Sequence, residues 1–452
     1  MISLSARERI ATLAVLAAMA LAVLDMGMVN VALPLLAARF AAAPSEAILV
    51  VGAYQAALLV GILPSAHIAD RIGLRRIFVA GLALFCGASL LCALAPSLPL
   101  LIAARVLQGL GAAAVMALGV ALLRAALGVD RLGSAIAWNA LVVAVSSAAG
   151  PTIGAMILSF ASWSWLFLAG LPLGGAALLA ARALPSGPAA RGAVDGPAIA
   201  LHAATVILFF VAAKAAATDG ALSTILACSA LPLVVLLTRR ARRQQAPMLP
   251  ADLLGRPSFA MQAGASVCCF IGQSLGLVAL PFHLQMARPD DLLVIGLVVT
   301  CWPIGVAATS LVAIRMTGLN PKTQCVAGGA ILASGLSLSA CLPLQGSVVA
   351  VMACAALCGV GFGLFQLANN HVLFLAAPAG RAAAAGGIQG TARLTGQTTG
   401  TLIMALIFSW SSSALAPRTG LAIGAAFALA AAMLAARGSA SGHEERLSRA
   451  DE

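Results

Sequence analysis

Carboxylates are scarce in this chain. Fourteen Asp and Glu are spread over 452 residues, and none lies between Asp291 and Glu444. Charged residues of both signs make up only 9% of the sequence. A water-soluble protein of this length needs a charged surface, which this composition cannot supply. Aromatics are few as well: 15 Phe, 5 Trp and a single Tyr, Tyr54, offer no cage from which a ligand could be read. Paired acids, an HExxH stretch and a Cys/His cluster are all missing, which removes the usual footings of an integral membrane enzyme. The ten cysteines lie inside apolar runs or at their ends. There they act as small apolar side chains, and none has zinc-site spacing.

What is abundant is apolar length. The apolar share is 62%, in runs of 20 residues or more, enough to cross about 30 Å of hydrocarbon. The runs predict an all-α polytopic membrane protein with fourteen transmembrane helices, at 11–37, 46–66, 77–95, 100–123, 132–158, 163–182, 197–216, 221–238, 259–284, 292–314, 323–344, 347–374, 382–409 and 419–436. Gly and Pro punctuate many of their boundaries. The first run is too long for a cleavable signal peptide and is followed by further spans. The net charge of +12 could point to nucleic acid, but the basic residues sit in short loops between apolar runs, not on one soluble face. With the N-terminus inside, twenty of the 26 Lys and Arg fall on the cytoplasmic side and three (Arg39, Arg288, Arg418) outside. That asymmetry places both termini in the cytoplasm of a bacterial inner-membrane protein.

The segments Arg182 to Pro197 and Arg239 to Pro257 read as extramembranous. The expected organisation is a six-helix bundle at 1–183, two inserted helices with their linkers at 184–257, and a second six-helix bundle with a short cytoplasmic tail at 258–452. A short internal echo supports paired halves: Asp70–Arg76 after span two and Arg315–Lys322 after span ten both set Gly-Leu in a basic turn.

Five stretches carry more specific chemistry. Ala66–Arg76 contains Asp70, Arg71, Gly73, Arg75 and Arg76, a tight basic turn for which Gly73 supplies the backbone freedom. Arg105–Gly111 puts an arginine inside hydrocarbon, where a charge needs a partner or a task; Gly109 and Gly111 allow a neighbouring helix to come close. Ser146–Ala155 contains Gly150, Pro151 and Gly154; the proline frees a carbonyl and bends the helix while small residues accept a neighbour at the bend. Leu24–Pro34 holds Asp25, the only carboxylate well inside any span. Trp165–Gly174 opens span six.

Taken together, these stretches resemble the major facilitator superfamily, and within it the fourteen-helix drug:proton antiporters. Ala66, Leu74, Ser146, Ala155 and Gly170 depart from the family's usual residues. The resemblance implies two six-helix pseudo-symmetric bundles, alternating access, a proton gradient with no other cofactor, and a cytoplasmic gating loop at Asp70–Arg76. Gly150, Pro151 and Gly154 would be the antiporter helix motif. It also implies antiport of lipophilic small molecules of the multidrug-efflux type, with cationic substrates an open case because later spans lack acids. Partners would be substrate, protons and the bilayer, with no nucleic acid, and the chain would work as a monomer.

Depth adds a proton-coupling pair. Asp25 lies roughly 20 Å from the cytoplasmic end of its span and Arg105 about 8 Å below the outer surface, at about 1.5 Å per residue. In a core of about 30 Å the two depths agree. Candidate cavity residues are Asn30, Tyr54, Gln55, Gln108, Asn139, Gln273, His283, Asn369 and Arg393; for Gln273, His283, Asn369 and Arg393, in the C-terminal half, interhelical hydrogen bonding is the plainer use. The Gly359–Gly363 run resembles a nucleotide fingerprint only superficially, since no strand precedes it. Alternatives are export of one metabolite such as a siderophore or amino acid, and, in a different class, an integral membrane enzyme.

Overall fold

The computed structural model describes residues 5–128, 131–186, 194–243, 251–288, 291–313, 320–342, 347–377 and 381–448. Among them every regular element is a helix. In chain order these are α1 (Ala6–Arg39), α2 (Pro44–Ile72), α3 (Leu74–Ala93), α4 (Leu98–Leu127), α5 (Leu132–Phe160) and α6 (Trp165–Ala183). The next two are α7 (Gly196–Ala215) and α8 (Gly220–Arg242), and then come α9 (Pro257–Ala287), α10 (Leu292–Ala313), α11 (Pro321–Cys341), α12 (Val348–Ala376), α13 (Ala382–Trp410) and α14 (Ala416–Ser448). A single helical turn, Ala251–Leu254, precedes α9.

Thirteen helices among the described residues are long and apolar enough to cross a membrane. The expectation was fourteen, and the difference is α13. It is 29 residues long, but Gln389, Arg393, Gln397 and a scatter of threonines dilute its hydropathy. Several boundaries also shift. The supposed turn at Asp70–Arg76 shrinks to one non-helical residue, Gly73, at φ 113°, so Arg75 and Arg76 belong to the first turn of α3. Arg239, Arg240 and Arg242 sit in the last turn of α8, not in a linker. The tail after residue 436 continues as helix to Ser448. In the Arg315–Lys322 echo, residues 315–319 lie outside the described residues.

The helices gather into two compact units, Met1–Phe210 and Val211–Glu452. In the first unit, α1 packs on α5 and α6, and α4 packs on both α2 and α3. In the second, α9 packs on α13 and α14, and α12 packs on both α10 and α11. The same pairing within six consecutive helices thus occurs twice. Glycines repeat it in detail. A Cβ at Gly109 of α4 would strike the Tyr54 carbonyl of α2, and one at Gly359 of α12 would strike the Trp302 carbonyl of α10. Gly111 lies against α3 at Phe85, and Gly361 against α11 at Leu332. The Gly359–Gly363 run is therefore a helix-packing surface.

Outward faces are apolar: Leu13, Phe160, Ile225, Leu311 and Val349 are all well exposed. Such faces suit lipid, while helices keep their backbone polar groups bonded within themselves. Helix α8 is the least covered of these helices, with only 6% of its apolar stretch buried. Helix α7 is tied to α2 by two histidines. The Asp195 N–H donates to His67 Nε2 at 3.2 Å, and His202 Nε2 bonds the Leu59 carbonyl at 3.1 Å.

Candidate functional site: a buried ion pair between the first and fourth helices

Asp25 sits midway along α1 and is 3% exposed, while Arg105 of α4 is fully buried. The two form an ion pair of 2.5 Å between Arg105 Nη1 and Asp25 Oδ2. Arg105 does not snorkel to an interface. Its Nε donates to the Val50 carbonyl of α2 at 3.2 Å, and its guanidinium lies over the Tyr54 ring, 4.2 Å from the centroid. A second ring, Phe167 of α6, stands 5.8 Å away. The cation is thus held by charge, one carbonyl and two π faces, the set that a desolvated guanidinium needs.

Gln108 lies one turn along α4 from Arg105 and completes the group. Its Nε2 donates to Asp25 Oδ1 at 2.8 Å and to Ser89 Oγ at 2.8 Å, while its Oε1 accepts from Arg105 Nη1. Ser89 Oγ donates to the Phe85 carbonyl at 2.8 Å. Cys92 Sγ reaches Gln108 Oε1 at 3.7 Å. Spacing of three puts Arg105 and Gln108 on one face of α4, and Gly109 lets that face press on α2. Arg105 Nη2 is buried without a hydrogen-bond partner among the described residues.

The first-helix stretch and the Gly-Pro stretch meet beside this pair. Gly27 of α1 faces Gly150 and Pro151 of α5, and Gly154 faces Met28. Of the residues expected in a cavity, Tyr54 and Gln108 belong to the ion-pair network, and Gln55 is buried. The Oδ1 atoms of Asn30 and Asn139 are buried without a hydrogen-bond partner among the described residues. In the second unit the same holds for Gln273 Oε1, His283 Nδ1, both polar side-chain atoms of Asn369, and Arg393 Nε. Asp70 is exposed at the end of α2. Arg381, at the start of α13, bonds Asp252 at 2.9 Å. Ser89 and Cys92 escape the sequence reading as site residues because an isolated Ser or Cys in an apolar run has no distinguishing pattern, and Phe167 is read only as part of the Trp165–Gly174 stretch.

Apolar helices with lipid-suited exteriors, paired in two repeats of six, with a buried ion pair in the first, define a multi-pass membrane protein of the transporter type. Residues 15–393 match the Major Facilitator Superfamily, and the chain belongs to that family; it is a transporter of small-molecule substrates, not an enzyme. Among curated relatives, "Uncharacterized transporter YebQ" of Escherichia coli (strain K12) is 40% identical over 409 residues, covering 88% of this chain and 89% of the relative. "Multidrug resistance protein Stp" of Mycobacterium tuberculosis (strain ATCC 25618 / H37Rv) is 29% identical over 407 residues, covering 87% and 75%. "Riboflavin transporter RibZ" of Clostridioides difficile (strain 630) is 25% identical over 392 residues, covering 86% and 85%. A crystal structure of the POT family transporter PepTSo superposes with a TM-score of 0.71 at 14% identity, covering 96% of this chain and 98% of that one. At that identity the likeness speaks for the fold alone.

Proposed function

We propose that the protein is a proton-coupled exporter of lipophilic small molecules, working by alternating access in the bacterial inner membrane as a monomer with both termini cytoplasmic. The observation that carries this reading is the buried Asp25–Arg105 pair bridged by Gln108. Desolvation favours the neutral form of a buried carboxylate and a neighbouring cation favours the charged form. A proton arriving at Asp25 removes the charge that Arg105 answers, so the guanidinium and Gln108 must find new partners. Because α5 rests on α1 at Gly27 and Met28, any resulting shift of α1 is passed directly to α5. Binding of substrate and loss of the proton then compete through the same helices. No cofactor beyond the proton gradient is needed.

Residues 1–183 and 258–452 are the two repeats in this reading, with 184–257 inserted between them. Gly73 and the charges around it form the gating turn, and the unpartnered polar atoms of Asn30, Asn139, Gln273, His283, Asn369 and Arg393 are the substrate-facing candidates. The multidrug names of several relatives support a lipophilic range of substrates. The absence of acids between Asp291 and Glu444 argues against a preference for dications.

The test is export from an efflux-deficient host across a panel of toxic lipophilic compounds, followed by ethidium transport in proteoliposomes with an imposed pH gradient. Gradient-driven export of several unrelated compounds by the wild type, lost in Asp25→Asn, is the expected result. Export of one metabolite alone would replace the multidrug reading, and full gradient-driven export by Asp25→Asn would rule out the coupling assignment.

A further inference from the structure

A groove of about 970 Å³ opens on the first unit between the start of α3 and the end of α6. Its polar end holds three arginines, Arg75 and Arg76 from α3 and Arg182 from the end of α6, and its lining contains no carboxylate. The side chains of the three make no hydrogen bond or ion pair among the described residues. Gly73, which also lines the groove, is the N-cap of α3 and has no side chain with which to cap it. The first-turn N–H groups of a helix have no intrahelical acceptor and favour an anion. The other end is apolar, with Val79 of α3 and Leu178 and Leu179 of α6, and Leu179 is 64% exposed. Charge at one end and exposed hydrocarbon at the other describe an amphiphile lying along the protein, not a solute held in water.

We propose that this groove binds an anionic phospholipid of the leaflet to which the positive-inside count assigns the cytoplasm. The headgroup phosphate is held by Arg75, Arg76, Arg182 and the open amides of α3, and the acyl chains lie on Val79 and Leu179. Basic pockets between transmembrane helices at this level suit such headgroups. The site is separate from the Asp25–Arg105 pair. It touches the gating turn through Gly73, so an occupied groove would hold the α2–α3 corner in place.

Wild-type full-length protein in phosphatidylcholine nanodiscs, doped with photoactivatable phosphatidylglycerol or photoactivatable phosphatidylcholine, provides the test. Phosphatidylglycerol is expected to cross-link within residues 72–83 and 178–186, well above phosphatidylcholine. One arginine near a membrane surface contributes about a fivefold preference, so Arg182→Gln should lower the phosphatidylglycerol yield by about that factor, while Arg182→Lys keeps most of it. Inorganic phosphate at constant ionic strength should leave the yield unchanged. Equal yields from the two lipids, cross-links confined to other helices, or displacement by inorganic phosphate, which would mark a soluble-anion site, would each overturn the proposal. The wild-type map stands even if the Gln variant fails to fold; an unchanged yield from a folded Gln variant also overturns it.

Discussion

Gly150 of α5 rests against Gly27 of α1, two residues from Asp25. A Cβ built on either would stand 3.1 Å from the other's Cα. One turn on, a Cβ at Gly154 would come within 2.8 Å of Met28 Cα. The two helices touch backbone to backbone beside the buried acid. A larger side chain at Gly154 must push them apart, because the obstacle is main chain and cannot swing away. Gly154→Val should therefore destabilise the protein by about 1–3 kcal/mol and depress transport, whereas Gly150→Ala, with slightly more room, should do less. Thermal unfolding in detergent and proteoliposome transport read both effects; an unaltered midpoint for Gly154→Val would show that the contact yields.

Removing Arg105 leaves Asp25 buried without its cation. Arg105→Gln should cost about 3–5 kcal/mol of stability. Adding Asp25→Asn removes the stranded charge, so the double variant should regain much of that loss while staying uncoupled. A double-mutant cycle in thermal unfolding checks this, and strictly additive losses would mean that the two residues do not act as a pair.

Gln108 binds the acid, the cation and Ser89 together. Gln108→Leu leaves Ser89 Oγ and one Asp25 oxygen short of a donor, at a cost of about 1–3 kcal/mol for buried groups left unmade. Slower gradient-driven export with protein levels near normal is expected. A Gln108→Leu protein as stable and as fast as wild type would reduce Gln108 to filler.

At Gly73 the backbone is at φ 113°, and a Cβ added there would meet nothing within 4 Å, so only backbone strain opposes a side chain. Gly73→Ala should cost about 1–3 kcal/mol and impair transport. Asp70→Ala, which carries no such strain, should reduce transport while expression stays near normal. Unchanged transport by both variants would remove the α2–α3 corner from gating.

Helix α7 is joined to α2 through His67 and His202. His202→Leu keeps the volume but abandons the Leu59 carbonyl bond, and should lower the unfolding midpoint modestly without abolishing export. Complete loss of gradient-driven export would bring α7 into the transport cycle.

Much of the fold is legible in the sequence alone. Apolar runs of membrane length, interrupted by short basic turns, allow few structures, because a backbone in hydrocarbon must bond to itself. That physics determined the helices, their approximate limits and the multi-pass character. The cost of a lone charge in lipid singled out Asp25 and Arg105 and made them a pair. Hydropathy served less well where polarity is interspersed, as in α13, and at helix ends, where α3 begins directly after Gly73.

Other features depended on packing, which residue order does not record. The repeat is faint in sequence, yet the Gly109/Gly111 and Gly359/Gly361 contacts reproduce it, because backbone approach depends on small residues at matching positions and tolerates change elsewhere. Gln108 read as one of many polar residues in spans until α4 was set against α1 and α3 and gave it Asp25 and Ser89 as partners. The sequence determined that a buried charge needed an answer; only the tertiary structure decided which helices supply it, since hydrogen-bond geometry over a few ångströms arises from how helices pack and not from the order of their residues.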